Sequence, residues 1–202
     1  MDVLEAIKQR RSVGRPGQEP VSREIIEQLL DAAAQAPSHH HTCPWRFHVL
    51  AGRAREQLGD RLASALRRDL VESGEDPDSR QGQALVKAEA AKTLRAPALI
   101  AVTSQPSNAD NVVEREEHFA TAAAVQNILL AAHALGLGAM WRTGDGSVSP
   151  EVKDWLGLGE RDQVIGFVYV GWPDPDTPIA SPRRRPWPEL TEWRGWDESG
   201  TA

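Results

Sequence analysis

Residues 114–144 read EREEHFATAAAVQNILLAAHALGLGAMWRTG, and this stretch organises the rest of the chain. After the charged turn Glu114-Arg115-Glu116-Glu117, apolar residues fall on most faces of a helix: Ala120, Ala122, Ala123, Ala124, Val125, Ile128, Leu129, Leu130, Ala131, Ala132, Ala134 and Leu135. A helix apolar nearly all round is a buried one, not a surface stripe. Its alanines let other helices approach closely, so the pattern predicts a long, buried central helix. Gly136 and Gly138 are expected to end it, because glycine accepts the left-handed turn that closes a helix. Met140-Trp141-Arg142-Thr143-Gly144 follows at once. Two readings stand there: the lining of a site, or a tryptophan plugging the core edge beside a solvated arginine.

Two hundred and two residues suit one domain, or one domain plus arms, and are ample for a core. A net charge of -6 argues against a nucleic-acid partner, which normally needs a basic face. The single Cys43 excludes an intrachain disulfide and fits a reducing compartment. No apolar run resembles a signal peptide or reaches a membrane span, since Gln126, Asn127 and His133 interrupt the long helix. The expectation is a soluble, cytoplasmic protein with no membrane partner.

The remaining elements follow from local signals. Asp2 can cap a first helix that buries Val3, Leu4 and Ile7 and runs into Arg10-Arg11-Ser12. Those arginines either complement a helix C-terminus or clamp a phosphate. Ser22 caps a second helix carrying Ile25, Ile26, Leu29, Leu30 and Ala33, stopped by Pro37. Three histidines, His39 to His41, precede Cys43, but neighbours along one loop cannot all converge on one ion, so no metal is expected. Trp45, Phe47 and Val49 alternate with polar residues as in a strand. Leu58, Leu62, Ala65, Leu66 and Leu70 mark an amphipathic helix, and residues 72–82 a polar loop. A short helix through Leu85, Ala88 and Leu94 leads to the apolar run 98–102, a strand buried on both faces. Ser149 and Pro150 start a helix that buries Val152, Trp155 and Leu156 and ends at Gly157, and residues 164–170 form a third strand. From Trp172 the chain is rich in proline and charge yet carries Trp187, Trp193 and Trp196. Such an arm must bury its indoles against its own domain or a partner's, which suggests an obligate dimer with exchanged arms. No phosphate loop or dinucleotide fingerprint is present.

Four motifs in order carry a resemblance. Arg10-Arg11-Ser12 ends the first helix, and Ala36-Pro37-Ser38 with Pro44-Trp45-Arg46-Phe47 marks the second helix–strand junction. The Ala-rich helix ends Ala134-Leu135-Gly136-Leu137-Gly138, and the last strand ends in Gly171. Together they resemble the FMN-dependent nitroreductase family, over about residues 3 to 190, and its smallest branch in particular. The resemblance implies an α+β fold, an antiparallel or mixed sheet flanked by helices, and one domain over 1–202 with a C-terminal arm from about 172. It also implies a homodimer with swapped arms and an FMN in each of two interface clefts. Arg10, Arg11 and Ser12 would hold the FMN phosphate and ribityl chain. Gln35 and His39 would reach the flavin of the other subunit, and Trp141, Arg142 and Thr143 would line the ring and tail. Arg183 and Arg185 fall near a basic phosphate contact of many members. The implied activity passes a hydride from NADH or NADPH through flavin N5 to a nitroaromatic, quinone or similar small-molecule acceptor, by a ping-pong scheme. No side-chain nucleophile is then required. Many members have Asn at the position of His41 and Gln at that of Cys43, and the acidic-glycine turn of larger members has no match here. Those departures motivate the alternative of a flavin-binding or sensing module without turnover.

Overall fold

The computed structural model describes residues 1–178 and 184–196. Among these residues six α-helices and four strands follow in order: α1 (Val3–Gln9), α2 (Arg23–Ala34), β1 (Trp45–Ala51), α3 (Arg53–Glu72), α4 (Arg80–Ala91), β2 (Ala98–Ser104), α5 (Glu114–Ala134), β3 (Gly138–Arg142), α6 (Pro150–Leu156) and β4 (Gln163–Gly171). The sheet has the order β1-β2-β4-β3, and every neighbouring pair is antiparallel. This is the α+β architecture expected from the sequence, resolved as purely antiparallel.

Side chains alternate across the strands, so each face of the sheet collects its own core. Ile100, Val102, Val168 and Val170 face α2 and α5, where they meet Ile26, Leu29, Ala124, Val125 and Ile128. Leu99, Ala101, Phe167 and Tyr169 face the opposite way and pack with Leu58, Leu62 and Val152 of α3 and α6. All seven residues of β2 are buried, the apolar run 98–102 as expected and the polar Thr103 and Ser104 with it. Local caps set the helix ends. The side chains of Asp2, Ser22, Ser79 and Ser149 accept first-turn amides, and Gly157 closes α6 at φ 69°.

Two expectations need correction. Val3, Leu4 and Ile7 are not buried: they are 62%, 72% and 48% exposed, and only Ala6 of α1 is covered. Helical spacing shows that an apolar face exists, but α1 turns that face away from its own chain. Trp187, Trp193 and Trp196 stay exposed in the single chain, stacked edge to face on one another with centroids 6.3 and 5.3 Å apart, so of the two covers expected for them their own domain supplies none. Finally, Gly138 does not end α5. Gly136 alone closes that helix, at φ 81°, with its amide on the His133 carbonyl and that of Leu137 on the Ala132 carbonyl. Gly138 instead opens β3, a fourth strand that the sequence pattern did not signal, and a Cβ there would meet Val13 at 2.9 Å.

A bulge in the β2–β4 register leaves Ile165 unpaired between Val164 and Gly166. Its freed carbonyl accepts the Trp141 indole N–H at 3.1 Å. Gly166 has φ 147°, and a Cβ there would sit 2.3 Å from the Trp141 Nε1. Gly166→Ala should therefore destabilise the chain by ~1–3 kcal/mol through overpacking and backbone strain. Urea unfolding followed by tryptophan emission checks it, and the lowered midpoint should come with an emission shift as Trp141 is displaced.

Candidate cofactor site

The N-terminal segment runs along the free edge of β3. Ser12 bridges to Ala139, and the Val13 amide donates to the Ala139 carbonyl at 3.0 Å. Gly14 lies beneath Arg142, since a Cβ on Gly14 would be 3.0 Å from Arg142 Nη2 and from Met140 Sδ. Arg10 to Ser12 and Trp141 to Thr143, over a hundred residues apart in sequence, are thereby brought to one edge of the sheet. Arg142 and Thr143 line a cavity of about 320 Å³, together with Lys92, Tyr169 and the acids Asp69, Glu89 and Asp145.

At this edge two buried guanidinium nitrogens, Nη1 of Arg10 and Nε of Arg142, lack a hydrogen-bond acceptor among the described residues. Burial lowers the Arg10 pKa, and the neighbouring charges of Arg184 and then Arg11 lower it further. Arg142 lies 5.3 Å above the Tyr169 ring, a cation–π contact that supplies no acceptor for its N–H groups. Burial raises the Tyr169 phenol pKa, with Arg142 opposing the shift. An anionic group with several acceptor oxygens fits such donors, because buried N–H groups left unmatched cost about 1–3 kcal/mol each.

The other expected residues are placed variously. Arg11 turns its guanidinium back onto the carbonyls of Lys8, Gln9 and Arg10, where it complements the C-terminus of α1. Trp141 is half-buried against the α2–α5 core, tethered to Ile165. Thr143 is exposed at the cavity rim. Gln35 and His39 lie elsewhere in the chain, both exposed near the end of α2. His39 lines a separate cavity of about 440 Å³ with Phe119 and Ala123, 3.8 Å from the Glu116 carboxylate. Its loop carries three non-glycine residues in the left-handed region, His40, His41 and Cys43 at φ 54°, 55° and 49°. Each costs roughly 1–3 kcal/mol and is held only by its surroundings. Arg185 is exposed and pairs with Glu189 at 3.5 Å, and Arg183 lies outside the described residues.

Sequence reasoning missed Arg184. Its guanidinium reaches the carbonyls of Lys8 at 3.2 Å, Ile7 at 3.5 Å and Arg10 at 3.3 Å, tying the arm to α1 and adding positive charge beside Arg10. A residue 174 positions from its partner leaves no local signal.

A family model described as the nitroreductase family matches residues 7–172. The chain belongs to the nitroreductase family. A relative from Escherichia coli K12, provisionally named NAD(P)H nitroreductase YdjA, is 33% identical over 173 residues, 86% of this chain and 89% of that protein. The crystal structure of a nitroreductase-like family protein from Bacillus cereus has a TM-score of 0.79 at 26% identity, covering 96% of this chain and 97% of its own. A nitroreductase with bound FMN from Bacteroides fragilis has a TM-score of 0.71 at 25% identity, covering 92% and 95%. This nitroreductase is thus an oxidoreductase by family. Among its described residues no helix is long and apolar enough to cross a membrane.

The Arg184 contacts lead to an expected outcome. Arg184→Ala should lower stability by about 1 kcal/mol, the scale of a cation removed from helix-end carbonyls. Urea unfolding of the variant beside wild type reads the difference, which should shrink at high salt.

Proposed function

We propose that this chain is an FMN-dependent oxidoreductase that takes reducing equivalents from NADH or NADPH and delivers them to a small-molecule acceptor, with nitroaromatics or quinones as the class tried first. The observation that carries the reading is the pair of buried, unpartnered guanidinium nitrogens on Arg10 and Arg142 at one sheet edge. Arg10 and the Ser12 hydroxyl would hold the phosphate end, with Arg11 joining by giving up its α1 carbonyls. Arg142 and Thr143 would hold the polar edge of the ring system beside the 320 Å³ cavity. FMN bound there would supply two-electron transfer at N5. The protein's own part is to orient, to shield from water and to place positive charge, and no nucleophile or general base is needed.

The unit of function is a homodimer. Gln35 and His39 do not share a cavity with Arg142 in one chain, and the exposed apolar groups of α1 and the arm need cover. Each arm indole could remove on the order of 150–250 Å² from water. Two chains that exchange arms would bring His39 of one to the Arg10 edge of the other, completing two equivalent sites across a two-fold axis. Binding and release of reductant and acceptor at the same cleft gives a ping-pong scheme.

Purified protein should be yellow, or become so with added FMN, and should oxidise NAD(P)H when a nitroaromatic or quinone is present. A colourless chain that takes up no FMN contradicts the reading. Charge-assisted bonds contribute roughly 1.5–3 kcal/mol each, so Arg10→Ala should weaken FMN binding by about tenfold to a hundredfold. Riboflavin, which lacks the phosphate, should lose much less. Flavin fluorescence titrations of both ligands make the comparison, and equal losses would make Arg10 merely structural.

A further inference from the structure

Among the described residues Glu117 is the one acid with a fully buried side chain, 1% exposed in the first turn of α5. Among the described residues no cation lies within salt-bridge distance of it. Both of its oxygens are nevertheless occupied. Oε1 accepts the Thr42 hydroxyl at 2.6 Å, and Oε2 accepts the Ser107 amide at 3.2 Å. Its own carbonyl accepts the Thr121 hydroxyl at 2.9 Å, which anchors it within the helix. Thr42 belongs to the loop 38–43, and Ser107 to the loop between β2 and α5. The two loops also meet where Asn111 Nδ2 lies 3.3 Å from a His40 ring nitrogen.

The loop 38–43 needs such a hold. With three non-glycine residues at positive φ it cannot keep its shape by local preference. Within it, the Ser38 hydroxyl accepts the Cys43 amide at 2.9 Å and pairs with the Thr42 hydroxyl at 3.1 Å. These bonds form one chain of hydroxyls that ends on the buried Glu117 carboxyl. That carboxyl fixes Thr42, Thr42 fixes Ser38, and Ser38 sits next to His39. A buried polar group is kept only where its bonds are made, so the arrangement of the loop and the burial of Glu117 depend on each other.

We propose that Glu117 is a positioning residue: through Thr42 and Ser38 it clamps the strained 38–43 loop in the shape that presents His39 to the flavin of the partner subunit. This rests on the proposed FMN dimer. Glu117 itself touches no cofactor. Its effect passes through His39.

The test uses the full chain. In FMN-free protein, hydrogen–deuterium exchange should speed up together in segments 38–43 and 105–112 on Glu117→Gln, and in 38–43 on Thr42→Val, with α3 unchanged in both. Thr42→Val should weaken FMN binding roughly tenfold, the loss of one charge-assisted hydrogen bond. His39→Ala should weaken it too, and the double variant should lose little more than His39→Ala alone, because both act on one contact. Losses that multiply in the double variant, or a Thr42→Val chain with unchanged FMN affinity, overturn the proposal, as does unchanged exchange in Glu117→Gln. A wild-type chain that takes up no FMN sinks the dimeric flavin reading and the role of His39 with it. The exchange measurement then still decides whether Glu117 clamps the loop.

Discussion

The close approach of α5 to the sheet and to α2 is the contact from which the rest follows. Ala120, Ala124 and Ala132 are buried at the α5 surface, where larger side chains would push the layers apart. Asn127 adds a hydrogen bond from α5 to the Ala32 carbonyl of α2 at 3.0 Å. With α5 seated, the Gly136 turn directs the chain straight into β3, and β3 carries Arg142 to the sheet edge where Ser12 and Val13 dock. At its other end, α5 holds Glu117 under the loop of His39. One buried helix thus sets the position of two groups of polar residues at its two ends.

Electrostatics distinguishes those two groups. Among the described residues the Arg10–Arg142 edge has donors without acceptors, and Arg10 is crowded by Arg184 and Arg11, so the edge is complementary to an anion. The His39 cavity is different, with a carboxylate at 3.8 Å from the imidazole and an apolar floor of Phe119, Ala120 and Ala123. The first suits a phosphate and a polar ring edge, the second a planar face. Apolar surface left open on α1, at Phe119 and on the three arm tryptophans is what two such half-sites would use to meet.

Legibility in the sequence tracked how local each determinant is. Caps at Ser22, Ser149 and Gly157 act within a few residues, and they were readable. The buried run 98–102 and the long α5 were readable too, because composition alone fixes a core element that water never reaches. β3 was not, since five residues containing Gly138 and Arg142 carry no strand period, and their conformation comes from pairing with β4. The face of α1 was visible as apolar, but its direction depends on what surrounds the chain. Arg184 and Glu117 act across 174 and 75 positions, so neither could be assigned from spacing. The motif residues Arg10, Ser12, Arg142 and Thr143 stood out by residue type and were given roles through a family resemblance, and the structure adds that Arg10 and Arg142 each keep a buried nitrogen without an acceptor among the described residues.

Whether each site is shared between two chains is the central claim, and complementation tests it most directly. Arg10→Ala and His39→Ala variants, each weak for FMN alone, would be mixed under conditions that let subunits exchange, then titrated with FMN at a concentration that fills only tight sites. If Arg10 of one chain and His39 of the other build one site, each mixed dimer holds one fully native site, and tight binding reappears on mixing. If both residues serve a site within one chain, every site carries a substitution. A mixture that binds no more FMN than the separate variants, with exchange verified, would contradict the account.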